Sequence, residues 1–453
     1  MNNNLKKLIL LFGDIGILYL SLYLTLIIRY WGQVIENRWQ THLWPFTIVF
    51  IFWLIIFYIS KLYDLNLAVN NAKFFQLAGR SLIIAGLLSV SFFYLTPQIN
   101  IAPKRNMLIY IIVFALLFYL WRQFYNWSLK AYLPKNNIAI IGLNSQTEEL
   151  IYELKQKPHL GFNIAFIIDD DETKKEINGV PIHTNIYFIQ KLIKENNITD
   201  IILTKDPHQS EELRVLLFKC LPLKINFISL SNFYETITGK VPIEAISEMW
   251  FLENLSEGNK KLFTAFKRGY DLLLASLILI ITIAFWLIVA LIIKLESKGP
   301  VFIKMLRSGK SNKPFKMYKF RSMKEEGNTR TLTIENDPRI TKFGNFIRKT
   351  RLDEIPQVIN IIKGEMSFIG PRPERPELIA KLEGNIPFYN ERMLVKPGVT
   401  GWDQVSGEYH SPSREDTLKK LQYDLFYIKN RSIYLDLSII LKTIATVLSK
   451  GGR

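Results

Sequence analysis

The sequence predicts a chain in three parts: a membrane α-helical bundle of four spans at the amino terminus, an α/β Rossmann-like domain in the middle, and an α-rich, membrane-associated domain at the carboxyl end. Three observations predict it. The apolar residues, 49% of 453, fall into long runs, and four of those runs lie within the first 130 residues. Strand and helix patterns alternate after Pro134. One further charge-free apolar run of 22 residues, Leu272 to Ile293, opens the last part, and a strongly basic segment follows it. These changes of pattern set the expected boundaries at 1–133, 134–262 and 263–453.

The four amino-terminal runs are about Leu8 to Ile28, Trp44 to Ser60, Ser81 to Pro97 and Met107 to Trp121. Crossing ~30 Å of hydrocarbon takes ~20 helical residues, so the second to fourth are at the short end. The first is expected to remain as an uncleaved span, because it is too long for a signal-peptide core and no small-x-small site follows. With the amino terminus inside, inner segments carry Lys6, Lys7, Lys61, Lys73, Arg80, Arg122, Lys130 and Lys135, against Arg29, Arg38, Lys104 and Arg105 outside. That asymmetry places both ends of the bundle in the cytoplasm. Trp44, Tyr94, Trp121 and Trp127 fall near the expected interfaces, where such rings serve as anchors as readily as they fill helix contacts.

In the middle part, Asn137 to Gly142 reads as a buried strand and Thr147 to Lys157 as the helix after it. Further strands are expected over Asn163 to Ile168, Ile198 to Thr204 and Lys224 to Ser229, and helices over Ile186 to Glu195 and Glu211 to Cys220. Alternation of this kind gives a parallel sheet. The first turn, Gly142 to Thr147, lacks the second and third glycines that let a backbone approach a pyrophosphate, so a structural or regulatory role is expected ahead of nucleotide binding. The single cysteine, Cys220, excludes an internal disulfide and a thiolate metal site and suits a reducing cytoplasm. His159, His183 and His410 lack the spacing of a ligand cluster.

The formal net charge is +17, and residues 294–351 hold sixteen Lys or Arg against five Asp or Glu. Beside an apolar helix such a field suits anionic lipid or a phosphorylated substrate. Nucleic acid is disfavoured, since no groove-reading module is present.

Within Arg351 to Ile362, apolar residues at 352, 355, 358 or 359, and 362 make one helical face and leave Asp353 and Glu354 adjacent, off that face. Pro356 is tolerated in a first turn, which sets the carboxylates near a helix amino end, where a phosphate meets unpaired N–H groups. Such a pair can divide labour, one attacking phosphorus while the other holds Mg²⁺. An isolated Asp-Glu pair is more often a cap paired with Arg348, Lys349 or Arg351. Its neighbours decide between these readings.

Lys316-Met317-Tyr318-Lys319-Phe320-Arg321-Ser322-Met323 precedes the pair, and Lys363 to Glu374, Lys396 to Trp402 and Tyr423 to Tyr427 follow it. In this order they resemble the bacterial sugar transferase family, the monotopic phosphoglycosyl transferases, from about Phe263 to the end. Upstream, the four spans, the degenerate Rossmann-like domain and Gly239-Lys240-Val241-Pro242 resemble the large polyprenyl-phosphate hexose-1-phosphate transferases. The resemblance implies an enzyme at the cytoplasmic face of the bacterial inner membrane. Such an enzyme moves a sugar 1-phosphate from a UDP-sugar to undecaprenyl phosphate, releases UMP, and initiates exopolysaccharide, capsule or O-antigen synthesis.

It also implies roles for residues. Asp353 would be the nucleophile of a phosphosugar-enzyme intermediate and Glu354 the Mg²⁺ ligand. Lys319 matches the lysine after the tyrosine of the basic motif and suits neutralising a transferring phosphate; the plainer reading of Lys319 and Arg321 is a solvated basic strand. Arg372, held between Pro371 and Pro373, matches an arginine expected to contact the nucleotide, unless it pairs with Glu374 in a structural turn. Asp424 matches an aspartate near the active site and is expected to partner a basic residue. Arg339, Arg348 and Arg351 could serve phosphates, lipid headgroups or only the surface.

The family's membrane helix commonly carries a Ser-Pro break, where this chain has Ile283-Ala284. Alanine neither frees a carbonyl nor kinks a helix. A spanning helix would, however, carry Asp353 away from cytoplasmic UDP-sugar, so the catalytic domain is expected to have a re-entrant helix. Membrane lipid, UDP-sugar and undecaprenyl phosphate are the expected partners, with surface enough for a homo-oligomer. The resemblance puts galactose and glucose first as sugars, with N-acetylated sugars behind. The rival reading is a non-catalytic membrane scaffold or nucleotide sensor with a relict transferase domain, against which the intact Asp353-Glu354 pair and the Arg372 motif stand.

Overall fold

The computed structural model describes residues 3–31, 35–60, 62–63, 72–96, 103–132, 136–156, 160–169, 175–204, 210–246, 248–255, 260–324, 337–406 and 413–448. The chain divides into two compact units, Met1–Phe227 and Ile228–Arg453.

In the first unit the apolar runs become helices α1 (Asn3–Arg29), α2 (Ile35–Ile59), α3 (Ala72–Leu95) and α4 (Pro103–Tyr132). Each is long and apolar enough to cross a membrane. The second to fourth outrun their charge-free cores because polar end residues continue the helical turn. Their inward stripes meet in an aromatic core in which Trp53 lies 5.6 Å from Tyr110 and 5.1 Å from Phe114, ring to ring. Trp53 also donates its indole N–H to Ser89 at 2.8 Å. A charge in this setting is tolerated only when paired, and Asp14 on α1 meets Arg122 on α4 at 2.7 Å, both buried. Gly13 leaves the room that the Trp121 ring fills, since a Cβ there would overlap it. Trp121 therefore fills a helix contact, whereas Trp44, Tyr94 and Trp127 are exposed.

A six-stranded sheet follows, with strands β1 (Asn136–Ile141), β2 (Phe162–Ile168), β3 (Glu176–Ile177), β4 (Val180–His183), β5 (Ile198–Leu203) and β6 (Asn226–Ser229) in the order β3-β4-β2-β1-β5-β6. The β4-β2-β1-β5 pairs are parallel, as apolar strands joined through helices must be. The helices are α5 (Ser145–Gln156), α6 (Ile189–Glu195) and α7 (Glu211–Cys220). Ile189, Ile193, Leu213, Leu217 and Cys220 from the last two cover Ala139, Ile141 and Ile201. The sequence pattern missed the β3–β4 hairpin, whose strands are too short for periodicity. Its Asn178-Gly179 turn, with φ of 48° and 71°, was the available signal.

The second unit begins with α8 (Leu230–Thr238) and α9 (Glu248–Asn254). They join the carboxyl-terminal part through Val241 N–H, which donates to Gln422 O at 3.1 Å, and through Lys429, 2.9 Å from Glu235. Helix α10 (Lys261–Glu296) then runs 36 residues, about 54 Å at 1.5 Å per residue, with no break at Ile283-Ala284. Asp271, Ala275, Ile278, Thr282, Trp286, Val289 and Ile293 recur at helical spacing as the less exposed stripe, and its apolar members pack on the unit's body along the helix. The opposite face exposes Leu273, Ile280, Leu287 and Leu291, an apolar stripe of the kind a lipid-facing helix presents.

That body is a hairpin of β7 (Phe302–Ser308) and β8 (Pro314–Phe320), helix α11 (Lys342–Lys349), a 3-10 segment Leu352–Gln357 leading into α12 (Val358–Lys363), strand β9 (Ser367–Ile369), α13 (Pro376–Glu383), strand β10 (Gly398–Thr400) parallel to β9, α14 (Arg414–Asn430) and α15 (Ile433–Leu448). It grips α10 near both ends. Arg268 donates to Ile361 O and Ile362 O at 2.6 and 2.8 Å, binding carbonyls at the end of α12. Arg321 donates to Ser297 O at 2.6 Å, and Phe343 N–H to Glu296 at 2.9 Å.

Candidate active site

Four pieces of backbone bring the predicted residues together. Strand β8 alternates, turning Phe315 and Met317 into the core. Its free edge is satisfied by a side chain: Asn360 of α12 accepts from Tyr318 N–H at 3.0 Å and donates to Lys316 O at 2.8 Å. This pins the strand so that Lys319 Nζ lies 2.6 Å from Glu354 Oε1 and 3.7 Å from Asp353 Oδ2.

The carboxylates sit in the 3-10 segment that precedes α12, and both are buried. Entry into that segment is a sharp reversal at Arg351, whose φ of 59° is in the left-handed region, at a cost of about 1 kcal/mol for a residue other than glycine. The reversal brings the Arg351 guanidinium within 3.8 Å of Glu354 Oε1.

Arg372 comes from the other side, with NH2 3.5 Å from Glu354 Oε1, so Glu354 rather than Glu374 is its carboxylate. Its turn is built on close backbone approach. A Cβ on Gly398 would fall on Gly370, one on Gly370 would fall on Lys396 O, and Gly398 N–H donates to Pro371 O at 3.0 Å. Gly370 and Gly398, one from each of the two motifs at 363–374 and 396–402, are thus steric necessities. Behind the turn, Arg392 donates to Arg372 O at 3.0 Å and meets Asp424 at 2.8 Å, both buried. Asp424 therefore acts on the cluster through Arg392.

The two neighbouring carboxyls differ in electrostatics. Burial pushes Asp353 up, and Glu354 adds to that push, while Lys319 opposes it. Burial also pushes Glu354 up, but Lys319, Arg372 and Arg351 outweigh it and hold Glu354 at about 2. Glu354 is a clamped anion shared by three cations; Asp353 has Lys319 alone within ion-pair range, at 3.7 Å, and is as buried as Glu354. A cleft of about 230 Å³ beside them is lined by Arg307, Lys319, Glu354, Gln357, Arg372 and Gly398 among others.

Not every expected residue arrives here. Arg321 is buried under the end of α10, donating to Ser297 O, and does not join the cluster. Arg339 pairs with Asp337. Arg348 acts on Asp353 only through its field. His183 packs edge-on to Phe166, and His159 and His410 lie outside the described residues. Sequence reasoning missed Arg307, Gln357 and Arg392. The first lies within the basic segment, but no local pattern marks the other two. In the middle domain, the Leu143 N–H that a phosphate would need donates instead to Asp169 Oδ2 at 2.6 Å.

For a metal, the described residues hold no group of three His, Cys, Asp or Glu side chains. Mg²⁺ does not need one: it binds through one or two carboxylates together with water and substrate phosphates. The hard oxygens of Glu354 and Asp353 fit that manner of binding.

Fold and site together define a membrane protein with a cationic cleft, beside an adjacent pair of carboxylates, suited to phosphate anions. The Bacterial sugar transferase family matches residues 262–450, and a family described as CoA-binding domain matches residues 58–230. The chain belongs to the bacterial sugar transferase family, and within it to the large polyprenyl-phosphate hexose-1-phosphate transferases.

Among curated relatives, the UDP-N-acetylgalactosamine-undecaprenyl-phosphate N-acetylgalactosaminephosphotransferase of Aeromonas hydrophila is 38% identical over 250 residues, 55% of this chain and 58% of the relative. The UDP-glucose:undecaprenyl-phosphate glucose-1-phosphate transferase of Escherichia coli (strain K12) is 32% identical, covering 68% of this chain and 67% of the relative. The UDP-galactose-lipid carrier transferase of Erwinia amylovora is 30% identical, with 71% and 70% covered. The chain thus spans between 58% and 70% of the length of these three relatives.

Proposed function

We propose that the chain is an enzyme that transfers a sugar 1-phosphate from a UDP-sugar to undecaprenyl phosphate and releases UMP, beginning exopolysaccharide, capsule or O-antigen synthesis. The observation that carries this reading is the unequal Asp353-Glu354 pair. Three cations clamp Glu354 in the wall of the cleft, while Asp353 beside it has Lys319 alone within ion-pair range and is held less tightly.

Two displacements at phosphorus follow. An Asp353 carboxylate oxygen attacks the phosphorus that carries the sugar, the bond to the bridging oxygen breaks, and UMP leaves with the electron pair. A phosphate oxygen of undecaprenyl phosphate then attacks the same phosphorus, and Asp353 departs as carboxylate. In both steps an anion approaches an anion, so the barrier is largely electrostatic. Lys319 stands 3.7 Å from Asp353 to offset that repulsion. Arg372, about half exposed on its rigid turn, is placed to take the nucleotide phosphate. Mg²⁺ held by Glu354 would supply further neutralisation of the phosphate oxygens.

The lipid acceptor requires a site at the membrane face. Helix α10 is proposed to have both ends on the cytoplasmic face rather than to span; with no break at Ile283-Ala284 it would lie along that face instead of entering and turning back as the resemblance implied. One soluble body grips it at Arg268 and again at Ser297, which are 29 residues or about 43 Å apart along the helix, further than a bilayer core is thick.

The test is UMP release by the purified full-length chain with Mg²⁺, undecaprenyl phosphate and a panel of UDP-glucose, UDP-galactose and UDP-N-acetylgalactosamine. At least one donor should give UMP, and Asp353→Asn should give none. UMP from no donor, or full activity in Asp353→Asn, would sink the reading.

A further inference from the structure

A second cavity, of about 540 Å³, lies in the same unit and shares no lining residue with the Asp353-Glu354 cleft. Its walls include Lys267 and Arg268 near the start of α10, Lys310 after β7, Lys396 before β10, Asp271 and Tyr427. Two of these cations converge: a Cβ on Gly364 would lie 3.5 Å from both Arg268 NH2 and Lys396 Nζ.

Of the acidic groups nearby, Asp271 is in the cavity wall and Asp436 is not a lining residue. Asp271 accepts from Phe368 N–H at 3.2 Å, and Asp436 is held by Lys267 at 2.6 Å. Arg268 is engaged by the carbonyls at the end of α12. Lys310 and Lys396 have no carboxylate partner among the described residues. Burial lowers the proton affinity of Lys396, and Arg268 and Lys310 press the same way with only Asp271 opposing. A half-buried ammonium in that position is stabilised by an added anion.

The setting identifies the anion. Phe263, Ile369 and Val395 give the cavity greasy walls. On α10 beside it, Leu262, Phe266 and Leu273 are exposed. Helix α15, tied to α10 by the Lys267–Asp436 pair, exposes Tyr434 and Leu437. An apolar-walled, cationic hollow at the foot of a lipid-facing helix takes an amphipathic anion rather than a freely soluble one.

We propose that this cavity binds the headgroup phosphate of an anionic membrane phospholipid, with Lys310 and Lys396 as its counter-ions and α10 alongside its acyl chains. The assignment holds whether or not the first cleft transfers a sugar phosphate, and its test reads bound lipid rather than UMP.

The full-length chain would be released from nanodiscs of phosphatidylcholine and phosphatidylglycerol and its retained lipid counted by native mass spectrometry. Parallel arms contain undecaprenyl phosphate or inorganic phosphate as competitors. Wild type should retain one phosphatidylglycerol, and Lys310→Gln/Lys396→Gln should reduce that retention by about tenfold. Lys396→Arg, which keeps the charge, should retain it, as should Lys349→Gln, which alters an exposed lysine outside the cavity. Undiminished retention in the double variant, or equal loss in Lys349→Gln, would overturn the site. Preferential retention of undecaprenyl phosphate, or displacement by inorganic phosphate at equal concentration, would overturn its assignment to phospholipid.

Discussion

Asp353 and Glu354 are adjacent in sequence and opposite in electrostatic circumstance, and this has consequences for pH. In the proposed mechanism it is the ionised Asp353 carboxylate that attacks phosphorus. Because its folded pKa is raised, protonation removes activity at a higher pH than for an ordinary aspartate. The acid limb of UMP release should lie above the usual aspartate range, and Lys319→Gln should move it higher still, since Lys319 is the largest opposing influence. A limb that stays put or moves down in that variant would remove Lys319 from its assigned role. Glu354 has the opposite sign. Held at about 2 in the fold, it contributes stability that is fully present above its unfolded value near 4.5 and is lost as pH falls toward 2. Glu354→Gln should destabilise the protein at pH 7 by about 1–3 kcal/mol, and the difference in thermal midpoint should shrink below pH 4.5. Arg392 and Asp424 form a buried pair, so Arg392→Gln strands a buried carboxyl at a cost of about 3–5 kcal/mol. Adding Asp424→Asn should recover part of that loss in a thermal melt. Of these residues the motifs disclosed all but Arg392, whose partners lie 20 and 32 positions away.

At the scale of elements, the Pro371-Arg372-Pro373 turn depends on a backbone crossing that no side chain can enter. Gly398→Ala would drive a methyl into Gly370 and shift the turn, costing about 1–3 kcal/mol. Because the same turn carries Arg372, KM for the UDP-sugar should rise more than kcat falls. An unchanged KM would separate the turn from nucleotide binding. The apolar runs and the βα alternation were legible as helices and parallel strands because burial imposes their periods directly. The two- and four-residue strands around Asn178-Gly179 were too short to show a period. Arg321 shares a motif with Lys319, yet the two serve different neighbours: β8 ends at Phe320, and Arg321 just beyond it donates to Ser297 O instead of following Lys319 to the carboxylates.

At the scale of the whole molecule, the question is how a soluble body and an apolar helix share one membrane face. Single cysteines replacing Leu262 and Leu295, both highly exposed, in a Cys220→Ser background should react with a membrane-impermeant maleimide from the same side of sealed vesicles. Labelling from opposite sides would show a spanning helix. The sequence by itself determined the membrane spans, the alternating middle domain, the basic field and the residues of the transferase motifs, because composition and short-range order carry that information without reference to distant contacts. Tertiary structure alone decided which cations reach Glu354, that Asp424 acts through Arg392, that Arg321 ends a helix instead of facing the cleft, and that one body grips α10 near both its ends. Those outcomes depend on ångström-scale distances between segments far apart in the chain, and packing sets such distances while local sequence does not.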